Sequence, residues 1–76
     1  MKVFVVVQHN CISSIKVYSD RQKAVEAYDE LIKKVKERPR QRKEILDRDP
    51  HLDNNGGFWF GVSTTEYVAL DEKELN

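Results

Sequence analysis

The stretch Lys2-Val3-Phe4-Val5-Val6-Val7-Gln8, KVFVVVQ, decides how the rest of the chain is arranged. β-Branched residues dominate it, and both alternating sets, Val3/Val5/Val7 and Phe4/Val6, are apolar. That pattern marks an internal strand covered on both sides. Its apolar run is far shorter than the roughly 20 residues a membrane helix requires. The single Lys2 ahead of it does not make a secretory signal, so a cytoplasmic protein is expected.

Working outward, His9-Asn10 supplies a turn, and Ile12 to Tyr18 forms a second strand, less apolar and therefore nearer an edge. A link this short implies an antiparallel hairpin. Ser19-Asp20-Arg21-Gln22 carries the serine and glutamine spacing of a capping box, which starts a helix. Ala24, Val25, Ala27, Tyr28, Leu31, Ile32 and Val35 fall on one helical stripe able to lie on a sheet. Asp20 at the positive end of the helix dipole and Lys33, Lys34 and Lys36 at the negative end favour both termini. Proline lacks the amide hydrogen a helix interior needs, so the helix is expected to stop at Pro39. A short second helix, Arg40 to Arg48, then runs to Pro50 with Ile45 and Leu46 as its apolar pair.

Gly56-Gly57 signals a turn, and Phe58-Trp59-Phe60-Gly61-Val62-Ser63 a third strand. Thr64-Thr65-Glu66 bends the chain, and Tyr67 to Leu70 continues that strand or forms a short last one. The acidic tail, residues 71–76, is expected to fray. Residues 1–76 thus predict a single small α+β domain, with a three- to four-stranded antiparallel sheet and its helices on one face. The aromatic strand is expected beside the valine-rich strand, leaving the latter central. One long helix covers one sheet face, so Phe4, Val6 and either Trp59 or Phe58/Phe60 are expected on the other. Such a surplus apolar face predicts a homodimer formed through the sheet.

At 76 residues the chain can bury only about 60% of its unfolded surface. A composition of 39% hydrophobic and 34% charged residues is that of a globular domain, not a disordered or fibrous one. The lone Cys11 cannot form an internal disulfide, which agrees with a reducing compartment. Thirteen basic and thirteen acidic residues cancel, yet they are segregated. Lys33, Lys34, Lys36, Arg38, Arg40, Arg42 and Lys43 face only Glu37 within 33–43, a net of +6, whereas 44–76 carries −6. Folding either joins the two blocks or leaves a basic patch for an anionic partner.

The segment Asp49 to Gly61, DPHLDNNGGFWFG, holds the most chemistry. His51 with Asp49 and Asp53, or His9 with Cys11, offers metal-ligand types, but zinc signatures repeat their pairs and no repeat occurs. No metal or cofactor is therefore expected. His9, His51, Asp49, Asp53 and Tyr67 are the candidate acids and bases, and no spacing ties them into a catalytic set. Gly56-Gly57 lacks the lysine and following helix of a phosphate loop. The basic block with Phe58, Trp59 and Phe60 would suit a nucleic-acid binder or a small RNA-cleaving enzyme using His51. Zero net charge argues against that alternative. The reading favoured is a non-enzymatic protein-binding module. Trp59, Phe58, Tyr67 and Tyr18 are its large low-entropy anchors, Arg38, Arg40, Arg42 and Lys43 its rim, and His51 an additional contact.

The opening KVFVVV, the Tyr18-Ser19 to Ala27-Tyr28 pattern Y-S-x-x-x-K-A-x-x-A-Y, and the closing aromatic strand running into Ala69-Leu70-Asp71 resemble small uncharacterised proteins of bacteria and their phages. The resemblance covers most of the chain and rests on structural positions. It implies a phage or mobile-element accessory protein, of the inhibitor type, that binds a host protein such as a defence component. Residues 38–55 are the most individual part of the chain, where a partner-specific surface is expected.

Overall fold

The computed structural model describes residues 1–10, 12–54 and 57–74. Cys11 and Gly56, named above as a candidate ligand and a turn residue, lie outside the described residues. Strands β1 (Lys2–Asn10) and β2 (Ile12–Tyr18) form the antiparallel hairpin expected, followed by helix α1 (Arg21–Lys36) and a single turn of helix, α2 (Lys43–Leu46). Strands β3 (Asp53–Asn54), β4 (Gly57–Ser63) and β5 (Glu66–Glu74) complete an antiparallel sheet in the order β2-β1-β5-β4-β3. The α+β class and the order of elements are as the sequence indicates. Four strands are long, and β3 contributes two residues at one margin.

Two neighbours differ from expectation. The aromatic strand β4 does not pair with β1; β5 lies between them, in register with both. The reason is the turn at Thr64-Thr65, which reverses the chain into a hairpin rather than merely bending it. Once reversed, β5 presents its second edge to β1. The acidic tail is also not frayed over its described length, because Asp71 to Glu74 continue β5 opposite Val5 to Lys2. Lys2 reaches Glu72 at 3.0 Å, and the N-terminal ammonium reaches Glu74 at 3.3 Å. Opposite charges across a ladder stabilise the pairing of these strand ends.

Helix α1 starts one residue later than a capping box on Ser19 would place it. Asp20 is the N-cap, its carboxylate accepting from the Gln22 amide at 2.9 Å. The carboxylate satisfies an amide left without an intrahelical acceptor, and its charge suits the positive helix end. The helix ends at Lys36, short of Pro39. Arg40 then adopts φ 60°, a left-handed turn that prevents the second helix from starting where the proline alone would allow, and α2 begins at Lys43.

Ala24, Tyr28, Ile32 and Val35 on α1, with Ile45 of α2, pack on Phe4, Val6, Phe60, Val62, Val68 and Leu70. Side chains alternate along strands, so this set defines the covered face. The expectation that Phe4 and Val6 would face away from the helix is thereby reversed: they are core, and Val3, Val5 and Val7 occupy the other side. Either assignment fits a strand apolar on both faces, which is why alternation alone could not choose. Gly57 packs tightly in β4, since a Cβ there would lie 2.1 Å from the Leu70 carbonyl oxygen.

Candidate functional site

The face opposite the helices is built from rows of side chains set by strand register. Trp59, Ala69, Val7 and Ile15 form one row across β4, β5, β1 and β2. Gly61, Tyr67, His9 and Ser13 form the next, and Asp71, Val5 and Val17 the row on the other side, with Lys73 opposite Val3 beyond. The face therefore grades from aromatic, through aliphatic, to charged. Its outer members are open to water: Ile15 is 64% exposed, Val17 62% and Trp59 55%.

The aromatic end is ordered by stacking. Tyr67 lies between His9, with ring centroids 5.4 Å apart, and Trp59, at 6.4 Å. His9 Nδ1 and Ser13 Oγ are 2.8 Å apart, which extends the row to β2. Gly61 makes this arrangement possible because its missing Cβ leaves the space occupied by the indole; a Cβ there would fall 2.1 Å from Trp59 Cη2. Offset stacking holds large rings at low entropic cost, so the row presents preformed contact area.

The predicted anchors divide between the two faces. Trp59 and Tyr67 share the open face. Phe58 lies on the covered side, half-buried, tilted against Tyr28 at 5.6 Å and with the Arg21 guanidinium 5.8 Å from its ring centre. Tyr18 also faces the helix side, where it lines a groove of about 350 Å³ between β2 and α1 together with Lys16, Lys23, Glu30 and Leu31. The sequence indicated the aromatics but not the aliphatic half of the open face, because Val5, Val7, Ile15 and Val17 read equally well as core.

Part of the basic block is engaged within the fold. Arg38 makes a bidentate pair with Glu66, Nη1 to Oε1 at 2.8 Å and Nη2 to Oε2. Glu66 is buried, and the hydrogen bond from Arg38 holds its carboxyl below the usual glutamate range despite burial, which opposes ionisation. Here the basic and acidic blocks meet, as they do at the surface where Arg42 lies 3.6 Å from Glu44; Glu72 and Glu74 pair instead with the start of the chain. Arg42 donates to the Val62 carbonyl at 2.7 Å, and Arg48 donates to the Gly61 carbonyl. Lys36 reaches the Arg48 carbonyl at 3.1 Å, so the segment that carries α2 is tied to both α1 and β4. Arg40 and Lys43 are exposed and take part in none of these bonds.

His51 belongs to a second cluster, on the helix side. Its Nε2 meets Asp29 of α1, its amide donates to the Asp49 carboxylate at 2.8 Å, and its ring stands edge-on to Phe58 at 5.3 Å. Tyr28 donates to the Pro50 carbonyl at 2.6 Å, and burial pushes its phenol pKa well up. His51 thus fastens the turn after Pro50 to the helix, a folding role the sequence did not reveal because Asp29 is distant along the chain. Among the described residues no three His, Cys, Asp or Glu side chains converge on a point that would hold a metal ion. No helix among them is long and apolar enough to cross a membrane. No protein-family model, curated protein or solved structure matches this chain.

Proposed function

We propose that this chain is a non-enzymatic protein-interaction module whose working surface is the open sheet face. The observation that carries the reading is the contrast between sealed and open sides. Trp59, Ile15 and Val17 remain exposed on two adjacent rows of the open face, while the opposite face is closed by α1 and α2. Contiguous apolar surface on a small domain marks a binding site, and a preformed Trp-Tyr-His row supplies the side chains that anchor interfaces. The charged end, Asp71 and Lys73, provides the polar rim. The resemblance to small bacterial and phage proteins gives the setting: an accessory protein acting in the cytoplasm on a host protein, with a defence component as the type of target.

The test is capture from a bacterial lysate on the immobilised full chain, repeated with Trp59→Lys and Val17→Lys, each checked for an unchanged circular dichroism spectrum. The reading requires a protein that is retained by the native chain and lost by both variants. Retention unaffected by the face variants overturns it. So does salt-dependent binding of nucleic acid that weakens when Arg38, Arg40, Arg42 and Lys43 are reversed in charge, which would establish the nucleic-acid alternative.

A further inference from the structure

The two margins of the sheet are treated differently. At the β4 margin, β3 pairs with Gly57 and Phe58, and beyond it the guanidinium groups of Arg42 and Arg48 take the outward carbonyls of Val62 and Gly61. That edge is closed by side chains. At the other margin, β2 pairs with β1 on one side, and nothing among the described residues pairs with its outer edge. Six of its seven residues are exposed, and it contains no proline, glycine or bulge. Edges of this kind template the addition of another strand unless they are blocked.

We propose that the chain forms a two-fold dimer by antiparallel pairing of β2 with β2 of a second copy, Ile15 opposite Ile15. In a continuous antiparallel sheet, directly opposed residues point to the same face, so a symmetric pairing must be centred on a residue. Ile15 is the midpoint of β2, and the register centred on it pairs all seven residues of the strand. Ile12 then faces Tyr18, Ser13 faces Val17, and Ser14 faces Lys16 of the other copy. Centring on Lys16 instead would place like charges directly opposite, which is destabilising. Centring on Ser14 would leave Tyr18 facing Asn10, beyond the end of β2.

The Ile15 register also continues the open face. The row Trp59–Ala69–Val7–Ile15 meets its own copy at the axis, so a single apolar band crosses both sheets. On the helix side, Lys16 lines a groove in which Glu26 and Glu30 are interspersed with Lys23 and Lys34, so the edge lysine sits in a mixed-charge setting rather than a purely basic one. The groove also separates α1 from the edge and leaves room for a second helix layer beside it. The dimer is independent of the proposed partner-binding role, since it uses the strand edge and leaves the face accessible.

Sedimentation of the full chain at submillimolar concentration should give about twice the 8.9 kDa chain mass. In a Cys11→Ser background, Ile15→Cys should cross-link to a dimer under mild oxidation, because position 15 meets itself at the axis. Val17→Cys should not, because it faces Ser13 and lies far from its own copy. Trp59→Lys should remain dimeric. A species of 8.9 kDa throughout, equal cross-linking at both positions, or a dimer dissolved by Trp59→Lys would each overturn the edge-paired arrangement, the last in favour of face-to-face stacking.

Discussion

Phe60 and Trp59 are adjacent in β4, yet they belong to different environments. Phe60 is fully buried beneath the helices, and Trp59 lies over Gly61 with more than half its surface in water. The covered face holds the fold together, whereas the open face can change with little effect on folding. A strand separates the two tasks by pointing successive side chains in opposite directions.

The largest effect should follow from breaking the covered side. Phe60→Ala is expected to lower stability by about 3–5 kcal/mol in denaturant titrations, a loss comparable to the whole stability of so small a domain. Trp59→Ala should change it by only about 1 kcal/mol or less while removing the captured partner. Equal losses at the two positions would show that the faces are not distinct.

Next in size is the pair of exposed Arg38 with buried Glu66, which anchors the end of α1 to β5. Arg38→Gln leaves the Glu66 carboxylate without its bidentate partner and should lower stability at neutral pH by about 1–3 kcal/mol. The pH dependence has a defined sign. Glu66 has its folded pKa depressed by Arg38, so the pair's contribution is present above the ordinary glutamate pKa and is lost as pH falls through the depressed value. The gap between native and variant melting curves should therefore be full near neutrality and close in acid. A gap that persists in acid would assign the loss to packing of the arginine stem.

A smaller effect is expected on the helix side, where His51→Ala releases the turn after Pro50 from Asp29. Both partners are about half exposed, so the tie should be worth about 0.5–1 kcal/mol, seen as faster amide exchange around residues 49–52. The smallest stability change should come from Gly61→Ala. The added methyl must displace the Trp59 ring from its seat, shifting tryptophan fluorescence while stability moves by less than about 1 kcal/mol. An unchanged emission spectrum would show that the ring is not seated over Gly61.

Much of this arrangement could be read from the chain. The periodic stripe from Ala24 to Val35, the two opening strands and the aromatic strand are local patterns of period 3.6 or 2, and they appear where those patterns place them. The site was legible only in part. Trp59 and Tyr67 stood out by residue type, but their common face depended on Gly61 pairing with Tyr67 across the hairpin. His51 looked free because Asp29 and Phe58 come near it only after folding.

By itself, then, the sequence determined the α+β class, the order of the main elements and the surplus of apolar strand surface, since these follow from local periodicity and composition. Tertiary structure decided the strand order, which valines faced water, and how the basic block was used. Those outcomes depend on pairings between residues far apart in the chain: β5 between β1 and β4, Arg38 on Glu66, and Arg42 and Arg48 on the carbonyls of β4. No periodicity within a single segment encodes such a choice, because a strand apolar on both faces fits the sheet either way up until its neighbours select one.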